Sequence, residues 1–154
     1  MSGLLVAEQS LVVRQLLVDI GQAANPSYDA SGNYNGGAWP AFSPTEPSSP
    51  DECITVQDTP GRLLAASQVD GEWAEYFGVQ IRLRSLVEAD GKAKLNAIVN
   101  ALDKTVLRQV VTVGGNSCCV HNLIRRGSVL PLGFQRGTKR SLFTVNYEVD
   151  LYEL

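Results

Sequence analysis

"YFGVQIRLRSLVEADGKAKLNAIVNALDKTVLRQVVTV" (residues 76–113) decides the fold class, because its hydrophobic period changes twice. In its first part Val79, Ile81 and Leu83 alternate with Gln80, Arg82 and Arg84. That two-residue period predicts a strand with one buried face and one basic, outward face. From Glu88 to Lys104 the period lengthens: Leu95, Ile98, Val99 and Leu102 form a stripe opposite Lys92, Lys94, Asn100 and Lys104. This is an amphipathic helix, with Asp90 as its expected N-cap. "VLRQVVTV" then returns to a strand pattern, completing a strand, helix, strand unit.

Downstream the chain reads as nearly all strand. Gly114, Gly115 and Asn116 form a predicted hairpin turn before "SCCVHNLIRR", and a further turn is expected around Gly133 to Gly137. In "SLFTVNYEVDLYEL" (141–154), Phe143, Val145, Tyr147, Val149 and Leu151 alternate with Thr144, Asn146, Glu148 and Asp150, long enough for a central strand. Upstream, "CITVQDTPGR" (53–62) reads as a short strand with Ile54 and Val56 inward, closed by a Pro60-Gly61 turn. Residues 4–22 read as a first helix, with Leu5, Val12, Val13, Leu16, Leu17 and Ile20 on one stripe and Gly21 and Pro26 as its stop. The expectation is an α+β single domain over residues 1–154: a mostly antiparallel or mixed sheet of about five strands, packed by two helices on its apolar face.

Between the first helix and the first strand lies a long extended loop, residues 25–51. Its section "GNYNGGAWPAFSPTEPSSP" (32–50) holds four of the seven prolines and no period of either kind. Loops of this length inside compact domains are functional, linkers or disordered. The helix before it cannot bury its own stripe and must pack on the later sheet, so the loop is an excursion within one domain and not a hinge between two.

The 44% hydrophobic and 19% charged composition fits a globular chain and argues against global disorder. The N-terminal segment carries Glu8, Arg14 and Asp19, lacks a basic leader and has no long apolar run, so it reads as neither an export signal nor a membrane span. Cys53, Cys118 and Cys119 are odd in number, which points to synthesis in a reducing cytoplasm. Residues 1–75 hold ten acids and two bases, a balance of −8, while the remainder balances at +5. Such polarity favours head-to-tail association of copies if the halves separate in space, and means nothing if their charges intermingle.

Reactive groups are few. His121, the single histidine, shares a strand face with Cys119, but no nucleophile motif surrounds them, and two ordinary strand side chains is the simpler reading. Three cysteines and one histidine make a poor structural zinc set, and no cofactor is expected. "GFQRGTKR" departs from a phosphate loop in spacing and reads as a hairpin turn. Arg82, Arg84, Arg125, Arg126, Arg136, Lys139 and Arg140 concentrate in the sheet half, which raises nucleic-acid binding; the pI of about 5.1 and the lack of a recognition motif favour a solvated or intersubunit basic face.

The order of elements resembles the tail terminator, or minor capsid, proteins of long-tailed bacteriophages. The resemblance runs from Pro50 to Val149 and is carried by "PDECITVQDTPG" with Asp58 and Gly61, by the Val79 to Ser85 strand, by the helix after "ADGKAKLNAIVNALD", and by Gly133, Arg140, Phe143 and Asn146 in "GFQRGTKRSLFTVNYEV". It implies a non-enzymatic virion protein at the tail-neck junction, assembled in the host bacterial cytoplasm. Its copies would form a closed, six-membered ring that ends growth of the tail tube and offers a docking surface to the head connector. Partners would be the chain itself, the tube protein and the connector or neck protein; DNA would cross the lumen without sequence-specific binding, and no membrane is involved. A neck or head-tail joining role is the nearest alternative. The basic residues named above become candidate subunit or tube contacts. The loop, with Tyr28, Tyr34, Trp39 and Phe42, becomes a candidate assembly arm, loose in the free subunit and burying Trp39 against a neighbour, or else an ordered loop on its own domain.

Overall fold

The computed structural model describes residues 8–66, 73–105 and 108–154. The elements run α1 (Gln9–Asp19), β1 (Ala41–Phe42), β2 (Cys53–Ala66), β3 (Trp73–Ser85), α2 (Glu88–Thr105), β4 (Gln109–Val113), β5 (Asn116–Arg125), β6 (Leu130–Phe134) and β7 (Ser141–Glu153). One sheet of order β1-β2-β3-β7-β5-β4 contains them all, with β6 also paired to β7. Every pairing is antiparallel except β1 with β2, so the sheet is mixed, with more strands than the five expected. Leu4 to Ala7 of the expected first helix, and Val106 and Leu107 of the expected strand, lie outside the described residues.

The apolar alternation selects one face of this sheet. Ile54 and Val56 of β2, Val79, Ile81 and Leu83 of β3, and Phe143, Val145, Tyr147, Val149 and Leu151 of β7 join a single buried cluster with both helices. From α1 it receives Val12, Val13, Leu16 and Leu17, and from α2 Leu95, Ile98, Val99 and Leu102. Burying each such side chain contributes about 1.5–3 kcal/mol, so this face is the main source of stability. α1 packs across β1 to β4, and α2 across β3, β5 and β7. Helix α2 begins two residues before the expected cap: the Ser85 hydroxyl accepts the Val87 N–H, and Glu88 and Asp90 sit in the first turn, where the helix dipole favours acids.

Strand β7 is the centre. β3 pairs along one edge, from Phe77↔Val149 to Ser85↔Ser141. Along the other edge β5 and then β6 pair in series, with Arg126 N–H to Asn146 C=O bridging the interval between them. β4 and β5 form a hairpin whose turn residues, Gly114 and Gly115, have φ of +57° and +83°, the left-handed pair that a two-residue hairpin turn requires.

The expected turn at Pro60-Gly61 is a correction: these residues lie inside β2, which continues to Ala66 paired with β3. A register shift between Thr59 and Arg62 absorbs them as a bulge on a stretch of β2 that β1 no longer covers, a place where a strand tolerates proline's missing N–H. The bulge works because two glycines face each other across it. A Cβ on Gly61 would stand 2.0 Å from the Tyr76 carbonyl oxygen, and one on Gly78 would stand 2.4 Å from that of Pro60. Replacing Gly78 with alanine is therefore expected to cost about 1–3 kcal/mol in chemical denaturation; an unchanged midpoint would mean that the two strands separate here without penalty.

Candidate tail-assembly surfaces

The sheet's second face is polar, and its charges are mostly consumed within the chain. Glu148 receives Arg126 at 2.6 Å and Arg62 at 3.1 Å, and these guanidinium groups hold its carboxyl below the usual range. Arg125 donates to Asp103 at 3.1 Å. The Tyr147 hydroxyl donates to the other oxygen of Asp103, also at 3.1 Å, tying the end of α2 to β5 and β7. Burial and that carboxylate both push the Tyr147 phenol above its ordinary value. Of these pairs only Arg62 with Glu148 joins the two halves of the sequence; the others lie within the second half.

At the Ser85 end, the polar face is covered by the loop. Arg84 is 1% exposed, which corrects the expectation of an outward basic face at this residue. Its guanidinium donates to the carbonyls of Asp51 (3.1 Å), Pro47 (2.7 Å) and Pro50, with Glu46 at 3.9 Å. Arginine suits this place because its five donors spread in a fixed fork and can satisfy several carbonyls at once. Arg140 repeats the arrangement from β7, reaching Asp51 Oδ1 at 2.8 Å and the Ser48 carbonyl at 2.9 Å. Arg82 stays partly exposed and faces Glu46 at 3.4 Å.

The loop is therefore folded onto its own sheet, which corrects the expectation of a loose arm in the free subunit. Arg14 of α1 donates to the Ala41 carbonyl and to Asn25, fixing the start of the loop. Ala41 and Phe42 add a short parallel strand beside Ile54 and Thr55. Tyr28 and Tyr34 meet edge to face at 5.5 Å, Tyr28 donates to the Ser49 carbonyl and Tyr34 to that of Gly37. Trp39 packs against the chain's own core.

Arg136 and Lys139, at the β6–β7 turn, are exposed and make no ion pair among the described residues. They stand at the end of a strand that the sequence reading passed over as turn. All of β6 is exposed, with Leu130 at 53%, Leu132 at 51% and Phe134 at 67%. Its alternating Leu130, Leu132 and Phe134 were the available signal, obscured by Pro131 and Gly133 between them.

Cys119 and His121 do not form a reactive pair. His121 Nδ1 lies 2.9 Å from Asp150, and Cys119 stands opposite Tyr152 in the β5–β7 pairing. All three cysteines are free and buried; burial, opposed by Arg84, pushes the Cys53 thiol up to about 11. No group of three or more potential ligands is placed to hold a metal among the described residues, and no helix there is long and apolar enough to cross a membrane.

Two outcomes follow from this geometry. Arg84→Ala leaves buried carbonyls without donors, and is expected to cost about 2–4 kcal/mol and to speed hydrogen exchange in residues 46–52. Arg82→Ala, at a half-open ion pair, is expected to cost under about 1 kcal/mol; equal losses would refute the clamp. Thiol titration of the folded protein at pH 8 is expected to find no fast-reacting cysteine and, after denaturation, all three. A fast Cys119 would reopen the enzymatic reading.

No curated protein matches the chain. A family model described as bacteriophage tail terminator protein matches residues 32–153, which takes in the loop from Gly32 onward, the complete sheet and α2. The chain belongs to the bacteriophage tail terminator family, whose role in the virion is structural.

Proposed function

We propose that copies of this chain close into a ring, six-membered as the resemblance implies, at the head-proximal end of the tail. The ring ends polymerisation of the tail tube and gives the head connector its docking surface. The observation that carries this reading is the family match across the whole sheet. The exposed apolar strand Leu130–Phe134 supports it, because an unpaired strand edge is a template for joining another chain. A closing ring needs a heterologous contact, one patch against a different patch of the neighbour.

Arg136 and Lys139, free within the chain, are the basic residues best placed for subunit or tube contacts. Arg82, Arg125, Arg126 and Arg140 are already held by acids, and buried Arg84 acts through the loop it holds. The loop bearing Tyr28, Tyr34, Trp39 and Phe42 presents a preformed surface to a neighbour. DNA crosses the lumen without sequence-specific binding, since five of the seven candidate basic residues are already engaged by acids or loop carbonyls and are not free to capture phosphate.

Light scattering and electron microscopy of the purified protein, alone and with tube protein, test the proposal. Rings that sit on tube ends and shorten the tube-length distribution are expected. A chain that associates with neither tube nor connector would contradict it. Retarded duplex DNA at low salt, with a steep loss as salt rises, would favour a nucleic-acid module instead.

A further inference from the structure

Among the described residues several stretches of strand edge lack partners, the outer edges of β4 and of β2 beyond Thr55 included, and two such stretches lie at opposite ends of the sheet. The first is β6, which pairs with β7 alone and leaves its outer edge open along Leu130–Phe134. Beside it Val99, Val129, Pro131 and Phe143 contribute the apolar part of a groove of about 380 Å³ between α2 and the sheet. The second is the start of β3. From Trp73 to Tyr76 this strand pairs only with β2, because β7 joins it first at Phe77.

The distance between the two edges decides what can fill them. Ser85 pairs with Ser141, so the β6–β7 turn stands at the C-terminal end of β3, and Trp73 stands at the other. A thirteen-residue strand spans about 40 Å, too far for one chain to join its own two edges. A second copy has no such limit. The charges also match: Glu75 lies within the Trp73–Tyr76 stretch, whereas β6 ends beside Arg136 and Lys139, which make no ion pair among the described residues.

We infer that the β6 edge of one subunit pairs with the Trp73–Tyr76 edge of a neighbouring copy, continuing the sheet from subunit to subunit. This rests on the ring reading above and names its contact. Strand addition satisfies the open N–H and C=O groups of both edges and buries Leu130, Leu132 and Phe134. It brings Arg136 and Lys139 toward Glu75 of the neighbouring copy. The contact is heterologous, so each subunit keeps one edge of each kind free for the next until the circle closes.

Cysteine pairing tests it. Glu75→Cys and Phe134→Cys variants, mixed and mildly oxidised under assembly conditions with tube protein, are expected to give a disulfide-linked dimer that neither variant gives alone. The variant carrying both changes is expected to give a ladder ending at the ring size. Phe134→Glu, at an exposed site, is expected to keep the wild-type melting temperature and to raise the concentration for half-assembly by roughly tenfold or more. Wild-type rings without the mixed dimer, or assembling normally with Phe134→Glu, would overturn this contact and leave the ring reading intact. A wild-type chain that makes no ring even on tube ends would overturn both.

Discussion

Strand β7 has more partners than it has edges, and the rest of the molecule follows from that. One edge is filled by β3 over nine residue pairs, from Phe77↔Val149 to Ser85↔Ser141. The other is shared in series by β5 and β6. Because β6 takes only the first part of that edge, no described strand pairs with its outer side. The same alternation that makes β7 central, with Phe143, Val145, Tyr147, Val149 and Leu151 on one face, aims the core toward both helices and leaves the opposite face to polar and charged groups. A stable core and an uncovered strand are thus consequences of one arrangement.

The polar face is resolved in two ways along its length. Toward Val149, ion pairs such as Glu148 with Arg62 and Arg126 remain near solvent, where such pairs are individually weak. Toward Ser141 the face is roofed by residues 46–51, and Arg84 and Arg140 are the nails. Proline-rich backbone cannot supply its own hydrogen bonds in a regular ladder, so its carbonyls require donors from elsewhere. Two arginines from neighbouring strands provide them. This gives residues 46–51 a fixed shape without secondary structure of their own.

Much of this was legible in the sequence where hydrophobic period and geometry coincide. Val79, Ile81 and Leu83, the stripe of α2, the Gly114-Gly115 turn and the central place of the last strand all follow from local pattern. What was not legible depended on contacts distant in sequence. Alternation placed Arg84 on the polar face, but only the loop, 34 to 37 residues away, decides that this face is buried there. Pro60-Gly61 has the composition of a turn, and the strand continues through it because Gly78, across the sheet, leaves room. Charge counts by half of the chain left open whether the halves separate or intermingle, and pairs such as Arg140 with Asp51 join residues 89 apart. The apolar strand Leu130–Phe134 was hidden by its proline and glycine, although it is the surface that the proposed ring contact uses.

The central claim is that this subunit is built to be completed by copies of itself at the end of a tail tube. An electron cryo-microscopy reconstruction of the head-proximal end of the assembled tail addresses it most directly. The account predicts one closed ring of this chain between tube and connector, with Leu130, Leu132 and Phe134 buried between neighbouring subunits. A ring in which those side chains remain open to solvent, or a tail end that lacks this chain, would contradict it.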